Sequence, residues 1–282
     1  MKPAPFAYAK ARSVEDAVKL LSEHGDGAKL LAGGQSLMAT LNMRLSHPDL
    51  LIDLNTIPGL DSIALNGGDV AIGAMVRHAA ATRSDVIAKH APLIAMALPH
   101  IGHPAIRNRG TIGGSIAFAD PAAELPACFL ALGGAAEIAG KGGGRWVKAD
   151  DFFKGLYETA IGPDEMLTAV RLPVATPEMR FGFAELSRRH GDYALAGLAA
   201  SAHAEGSALR NVRLAYFGVG LTPIRAKHAE TALAAGSVDE AVQALYSDLD
   251  PPDDIQETGA VKMHLAGVLL RRVAAQLSGG RA

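Results

Sequence analysis

The stretch Leu30-Leu31-Ala32-Gly33-Gly34-Gln35-Ser36-Leu37-Met38 runs from an apolar strand pattern into a helical one across a pair of glycines. A second pair stands in Arg109-Gly110-Thr111-Ile112-Gly113-Gly114-Ser115, followed by Asp120-Pro121-Ala122-Ala123-Glu124. Each pair forces a tight turn and places backbone N–H groups where a ligand can face them. Consecutive N–H groups in such turns form anion-binding nests. A helix opening at Ser36 adds its unpaired N–H groups and the positive end of its dipole. Pyrophosphate is the guest this chemistry suits, because a Cβ would hold phosphate oxygens away. The plain alternative is a turn without a ligand, and for either pair alone the spacing favours it. Neither pair matches G-x-G-x-x-G, nor the P-loop with its Lys after the last Gly.

The remaining pattern is mixed. Ser13-Val14-Glu15-Asp16 resembles a capping box, and Val14, Ala17, Val18 and Leu21 follow at helical spacing, with Gly25 as the stop. Lys29 to Ala32 and Leu50 to Leu54 read as strands around a helical face at Leu37, Met38, Leu41 and Leu45, which predicts a small parallel sheet. Asn66-Gly67-Gly68-Asp69 and Gly140-Lys141-Gly142-Gly143-Gly144 predict two hairpins. Ser84 to His100 read as helical, with Pro92 starting a second set of turns. Thr111 to Pro126 read as an ordered loop, and Met166 to Leu172 as a strand. Pro173 to Met179 is the candidate linker. Beyond it come strands at Phe181 to Leu186, Tyr193 to His203 and Val212 to Gly218. Helices follow at Arg225 to Ala235, Val238 to Tyr246 and Val261 to Leu277. The pattern is α+β throughout its 282 residues.

Composition excludes several classes. The net charge of −2 supplies no basic stripe for nucleic acid. Aromatics make up 5%, too few for a base-stacking platform. Cys128 is the single cysteine, so the chain cannot hold an iron–sulfur cluster or a cysteine zinc site. Its apolar surroundings read as buried filler. The N-terminus lacks the apolar stretch of a signal peptide, and no apolar run reaches the length of a membrane span, so a cytoplasmic location is expected. His100 and His103 read as loop residues without a metal, and Arg188-Arg189-His190 as a solvated turn. Tyr193 opens an alanine-rich strand, where its ring either pads the core or faces a planar ligand.

Taken in order, Phe6-Ala7-Tyr8, "AKLLAGGQSL", "RLSHPDLLIDL", "AIGAMVRHA", "IRNRGTIGGSIAFADPAAELPA", "ETAIGPDEML" and "RRHGDYALA" resemble one family. It is the FAD-binding medium subunit of the molybdenum hydroxylases, a group that includes carbon monoxide, xanthine and nicotine dehydrogenases. The resemblance covers nearly the whole chain. It implies a vanillyl-alcohol-oxidase-type FAD-binding domain of two α/β subdomains, residues 1–57 and 58–177. A C-terminal α+β domain of antiparallel sheet and helices follows at 178–282.

The resemblance also implies non-covalent FAD and no substrate chemistry on this chain. Two [2Fe–2S] clusters on a small subunit and a molybdopterin cofactor on a large subunit would complete a heterotrimer, assembled as a dimer of heterotrimers. It places Ala32, Gly33, Gly34, Gln35 and Ser36 in one FAD loop and Thr111, Ile112, Gly113, Gly114 and Ser115 in the other. Lys29 and Leu30 enter the first loop. Glu124 would hold ribityl or ribose hydroxyls, with Asp120 as second choice. Ile101 and Ile161 would line the adenine or ring cavities, and Tyr193 would lie beside the isoalloxazine. Neither a catalytic group nor a metal ligand is implied. Gln35, Ser115 and His103 stand where many relatives have His, Asn and an acid. Two other readings remain open at this point: a stand-alone FAD-dependent reductase or oxidase, and a non-enzymatic nucleotide-binding scaffold.

Overall fold

The computed structural model describes residues 2–279. The first unit contains β1 (Ala7–Lys10), α1 (Val14–His24), β2 (Ala28–Leu31), α2 (Leu37–Asn42) and β3 (Leu50–Asp53). Its three strands run parallel in the order β1-β3-β2. The Ser13 hydroxyl accepts from the Asp16 N–H at 3.1 Å, while the Asp16 carboxylate accepts from the Arg12 N–H at 2.9 Å. These bonds start α1, and Gly25 at φ +53° ends it. Val18 and Leu21 then bury against Leu50 and Ile52.

The second unit opens with the hairpin of β4 (Ile63–Asn66) and β5 (Asp69–Gly73). Six short helices follow: α3 (His78–Thr82), α4 (Asp85–His90), α5 (Pro92–Ala97), α6 (Pro104–Arg107), α7 (Ile112–Phe118) and α8 (Glu124–Ala131). Five more strands complete it: β6 (Ala135–Gly140), β7 (Gly143–Lys148), β8 (Phe153–Gly155), β9 (Glu158–Thr159) and β10 (Met166–Pro173). The main sheet is antiparallel, in the order β4-β5-β10-β6-β7.

The segment read as a loop from Thr111 to Pro126 is two helices. Thr111 caps α7 by accepting from the Gly114 N–H at 3.0 Å. Gly113 lies so close to Ala74 that a Cβ would sit 2.4 Å from the alanine's own. Tertiary packing has overridden the low helix propensity of the glycines. The helix expected from Ser84 to His100 breaks at Ala91, as Pro92 requires.

The C-terminal unit holds β11 (Met179–Leu186), β12 (Ala196–Glu205), β13 (Ala208–Phe217) and β14 (Ile224–Arg225). Helices α9 (Lys227–Ala234), α10 (Val238–Asp248) and α11 (Gly259–Leu277) follow. The sheet is antiparallel in chain order. Alternation along its strands divides it between two cores. Leu198, Ala200, Leu214 and Tyr216 face α9 to α11. Phe183, Ala199, Ala215 and Phe217 face the other way and join the core of the second unit, beside Leu93, Leu125 and Phe129. The Ser201 hydroxyl donates to the Ala131 carbonyl across this contact at 2.8 Å. Tyr193 is not part of a strand: β12 begins at Ala196, and Tyr193 lies in the loop before it.

Candidate functional site

A cavity of about 720 Å³ lies where the first unit, the second unit and the loop before β12 meet. That volume suits a cofactor. The structure brings most of the expected residues to its wall. Lys29, Leu30, Ala32, Gly33, Gly34, Gln35 and Ser36 line it from the first unit. Ile101, Thr111, Gly113, Gly114, Ser115, Asp120 and Glu124 line it from the second, and Tyr193 from the rim. Two expected residues do not reach it. Ile112 is 1% exposed and belongs to the core, because it sits on the inner face of α7. Ile161 packs against that same core just after β9. Residues that sequence reasoning missed also line it: His78, Tyr157 and Phe118.

The two glycine loops are unequal in what they offer. Among the described residues, the N–H groups of Gly33, Gly34, Gln35 and Ser36 have no acceptor. They form an open donor cradle, as a pyrophosphate requires. In the second loop the Ile112 and Gly113 N–H groups donate to Val76 and Ala74, and those of Gly114 and Ser115 to Thr111. That loop therefore presents hydroxyls in place of amides.

The glycines also have a reason within the fold itself. A Cβ on Gly33 would stand 2.3 Å from the Arg109 carbonyl oxygen and 2.8 Å from Gly110 Cα. The packing of the two loops on each other is by itself enough to require glycine at position 33. Gly34 holds φ +73°, which permits the turn itself.

Burial shifts the acids and bases of the wall. Burial pushes the Glu124 carboxyl up to about 7, and the acid Glu185 adds to the effect. Burial also raises Asp120, against a hydrogen bond from the Ala122 N–H. Burial and the Asp120 carboxylate raise the Tyr193 hydroxyl. His100 Nδ1 lies 3.2 Å from Glu185 Oε1 behind this wall, and that contact raises the imidazole. His78 is pushed down to about 4, chiefly by burial. The Thr111 backbone beside it opposes the shift, yet neither ring nitrogen gains a hydrogen-bond partner.

These two large shifts oppose each other. The lowered His78 pKa contributes stability above its ordinary 6.5, lost as pH falls through about 4. The raised Glu124 pKa contributes below its ordinary 4.5, lost as pH rises through about 7. Each contribution is on the order of 3 kcal/mol. Thermal melts should separate them. Glu124→Gln should leave stability climbing with pH from about 4 to 6.5, and His78→Phe should leave it falling from about 4.5 to 7. Parallel profiles for both variants would refute the assignment.

The family model described as the FAD binding domain in molybdopterin dehydrogenase matches residues 4–175. The chain belongs to that family. The model for the CO dehydrogenase flavoprotein C-terminal domain matches residues 181–277. The chain is 38% identical over 283 residues to the 6-hydroxypseudooxynicotine dehydrogenase complex subunit alpha of Paenarthrobacter nicotinovorans, covering 98% of this chain and 95% of the relative. It is 38% identical over 277 residues to the carbon monoxide dehydrogenase medium chain of Afipia carboxidovorans, covering 96% of each. A solved carbon monoxide dehydrogenase from Hydrogenophaga pseudoflava, lacking the Mo-pyranopterin moiety, superposes with a TM-score of 0.97 at 35% identity and full coverage of both chains. This chain thus pairs a molybdopterin-dehydrogenase FAD-binding domain with a CO dehydrogenase flavoprotein C-terminal domain, and it resembles subunits of dehydrogenases, one of them a medium chain. Among the described residues, no group of three or more His, Cys, Asp or Glu is arranged to hold a metal. No described helix is long and apolar enough to cross a membrane.

Proposed function

We propose that this chain is the electron-carrying arm of a heterotrimeric molybdenum hydroxylase. It receives electrons from two [2Fe–2S] clusters of a small subunit and yields them to an external acceptor. The observation that carries the reading is the cradle of four free amides at residues 33–36, set in a cavity with Tyr193 at its rim. FAD, when bound, supplies the redox chemistry, exchanging electrons singly with iron–sulfur centres. The residues here bind and orient it.

The amides of Gly33 to Ser36 would hold the pyrophosphate, with the Ser36 and Ser115 hydroxyls completing the donor set. Glu124 and Asp120 would meet the sugar or ribityl hydroxyls. Leu30 and Ile101 give apolar cover, and Tyr193 would flank the isoalloxazine. The single cysteine, Cys128, is fully buried, which leaves this chain no ligand set for an iron–sulfur cluster and supports placing the clusters on a small partner, with the molybdenum cofactor on a large one. The expected assembly is a dimer of heterotrimers in the cytoplasm.

Two measurements check this. The purified chain mixed with FAD should give a flavin absorbance spectrum that stays with the protein through gel filtration. Native mass spectrometry of the complex should find a large and a small partner. A folded chain that never retains FAD would sink the proposal.

A further inference from the structure

The two loops have their carbonyl oxygens occupied one after another. The Ala32 carbonyl accepts from Asn55 Nδ2 at 3.1 Å, and the Gly33 carbonyl from Gln35 Nε2 at 3.2 Å. The Gly34 carbonyl accepts from the Met38 N–H at 3.1 Å. Across the contact, the Arg109 carbonyl accepts from Arg77 Nη1, and the Gly110 carbonyl from the His78 N–H at 3.0 Å. Arg77 Nη2 also donates to Asn55 Oδ1, so one guanidinium joins the donors that hold both loops. Asn55 is held in turn by Asp53, whose carboxylate accepts from the Tyr8 hydroxyl. Neither Asn55 nor Arg77 is among the residues that line the cavity.

A peptide unit has two faces, and rotating it exchanges an N–H for a carbonyl. The Gly33–Gly34 peptide lacks the side chains that resist such a rotation. A carbonyl turned into the cavity would repel a phosphate oxygen where an amide attracts one. We propose that Asn55, Arg77 and Gln35 are positioning residues that fix the direction of the loop peptides. They draw the carbonyls back and leave the amides forward, so that the cavity selects the pyrophosphate of a dinucleotide. Gln35 takes a specific part in this. Its side-chain amide bonds its own loop, at the Gly33 carbonyl. The inference rests on the proposed FAD function.

The test compares FAD with riboflavin, which has the same ring but no pyrophosphate. Affinities are read by flavin fluorescence for the wild type, Asn55→Ala, Arg77→Ala and Gln35→Leu. Each variant should lose tenfold or more in FAD affinity while riboflavin affinity moves less than twofold. Added ethylguanidinium should restore FAD binding to Arg77→Ala. Equal weakening of both flavins, or no weakening of FAD, would overturn the inference. Gln35→Leu removes one bond inside the loop and carries the test if Arg77→Ala does not fold. A wild type that binds no FAD overturns the function beneath it. A wild type that binds FAD, with variants that bind equally well, overturns only the positioning role.

Discussion

Gly33→Ala is expected to weaken FAD binding by roughly tenfold to a hundredfold, equivalent to about 1–3 kcal/mol. The new methyl would lie 2.3 Å from the Arg109 carbonyl oxygen and 2.9 Å from its carbon. Both atoms are backbone, so no rotamer change relieves the clash. The loops must separate, and the four free amides move with them. Overpacking of this kind also lowers stability by about 1–3 kcal/mol. Gly142→Ala is the control, because nothing lies within 4 Å of the added carbon and φ is not positive there. Equilibrium titration with FAD, alongside urea unfolding, reads both effects. A Gly33→Ala protein that binds FAD like the wild type would show that the loop contact does not shape the cradle.

Glu230→Ala should cost roughly 3–5 kcal/mol of stability, the range for breaking a buried ion pair. The Glu230 side chain is 8% exposed and that of Arg225 is 18% exposed. The carboxylate accepts from Arg225 Nε at 2.9 Å and Nη2 at 2.5 Å, and from the Leu214 N–H at 2.9 Å. Removing it leaves a buried backbone N–H without a partner and an arginine held only by Asp150 at 3.1 Å. Asp150 belongs to the second unit and also pairs with Arg213 at 2.9 Å. The damage should therefore spread beyond the C-terminal helices. Urea unfolding should give a lower midpoint, with Glu230→Gln milder because it keeps an acceptor. A midpoint unchanged in Glu230→Ala would refute the role of the network.

Much of this was legible in the chain. The parallel unit followed from helical and strand spacing, and both hairpins from their glycine turns. Membership of the flavoprotein family followed from motifs in order. What escaped has physical causes. β1 is exposed along three of its four residues, so it has no alternation to read. The helices α7 and α8 are hidden by Gly, Ala and Pro, which signal turns unless a core is present to receive them. Ile112 sits between Thr111 and Gly113, which line the cavity, yet its side chain turns into the core, as does that of Ile161 after β9. Asn55 and Arg77 act through side-chain bonds to carbonyls far along the chain, at separations of 23 and 32 residues. No local pattern encodes such a contact.

The sheet of β11 to β14 closes two cores at once. A flap that swung open on the connection at residues 174–178 would strip cover from Phe129 and Leu93 on one side. It would also break the Ser201 bond to Ala131 and the Gly218 bond to Pro121. The C-terminal domain is therefore a fixed wall rather than a door. Traffic into the cavity falls to its small parts: the Tyr193 loop, and the hairpin tip where Tyr157 holds φ +57° against Phe118. A cofactor held this way should enter and leave past these two tyrosines, without any movement of domains.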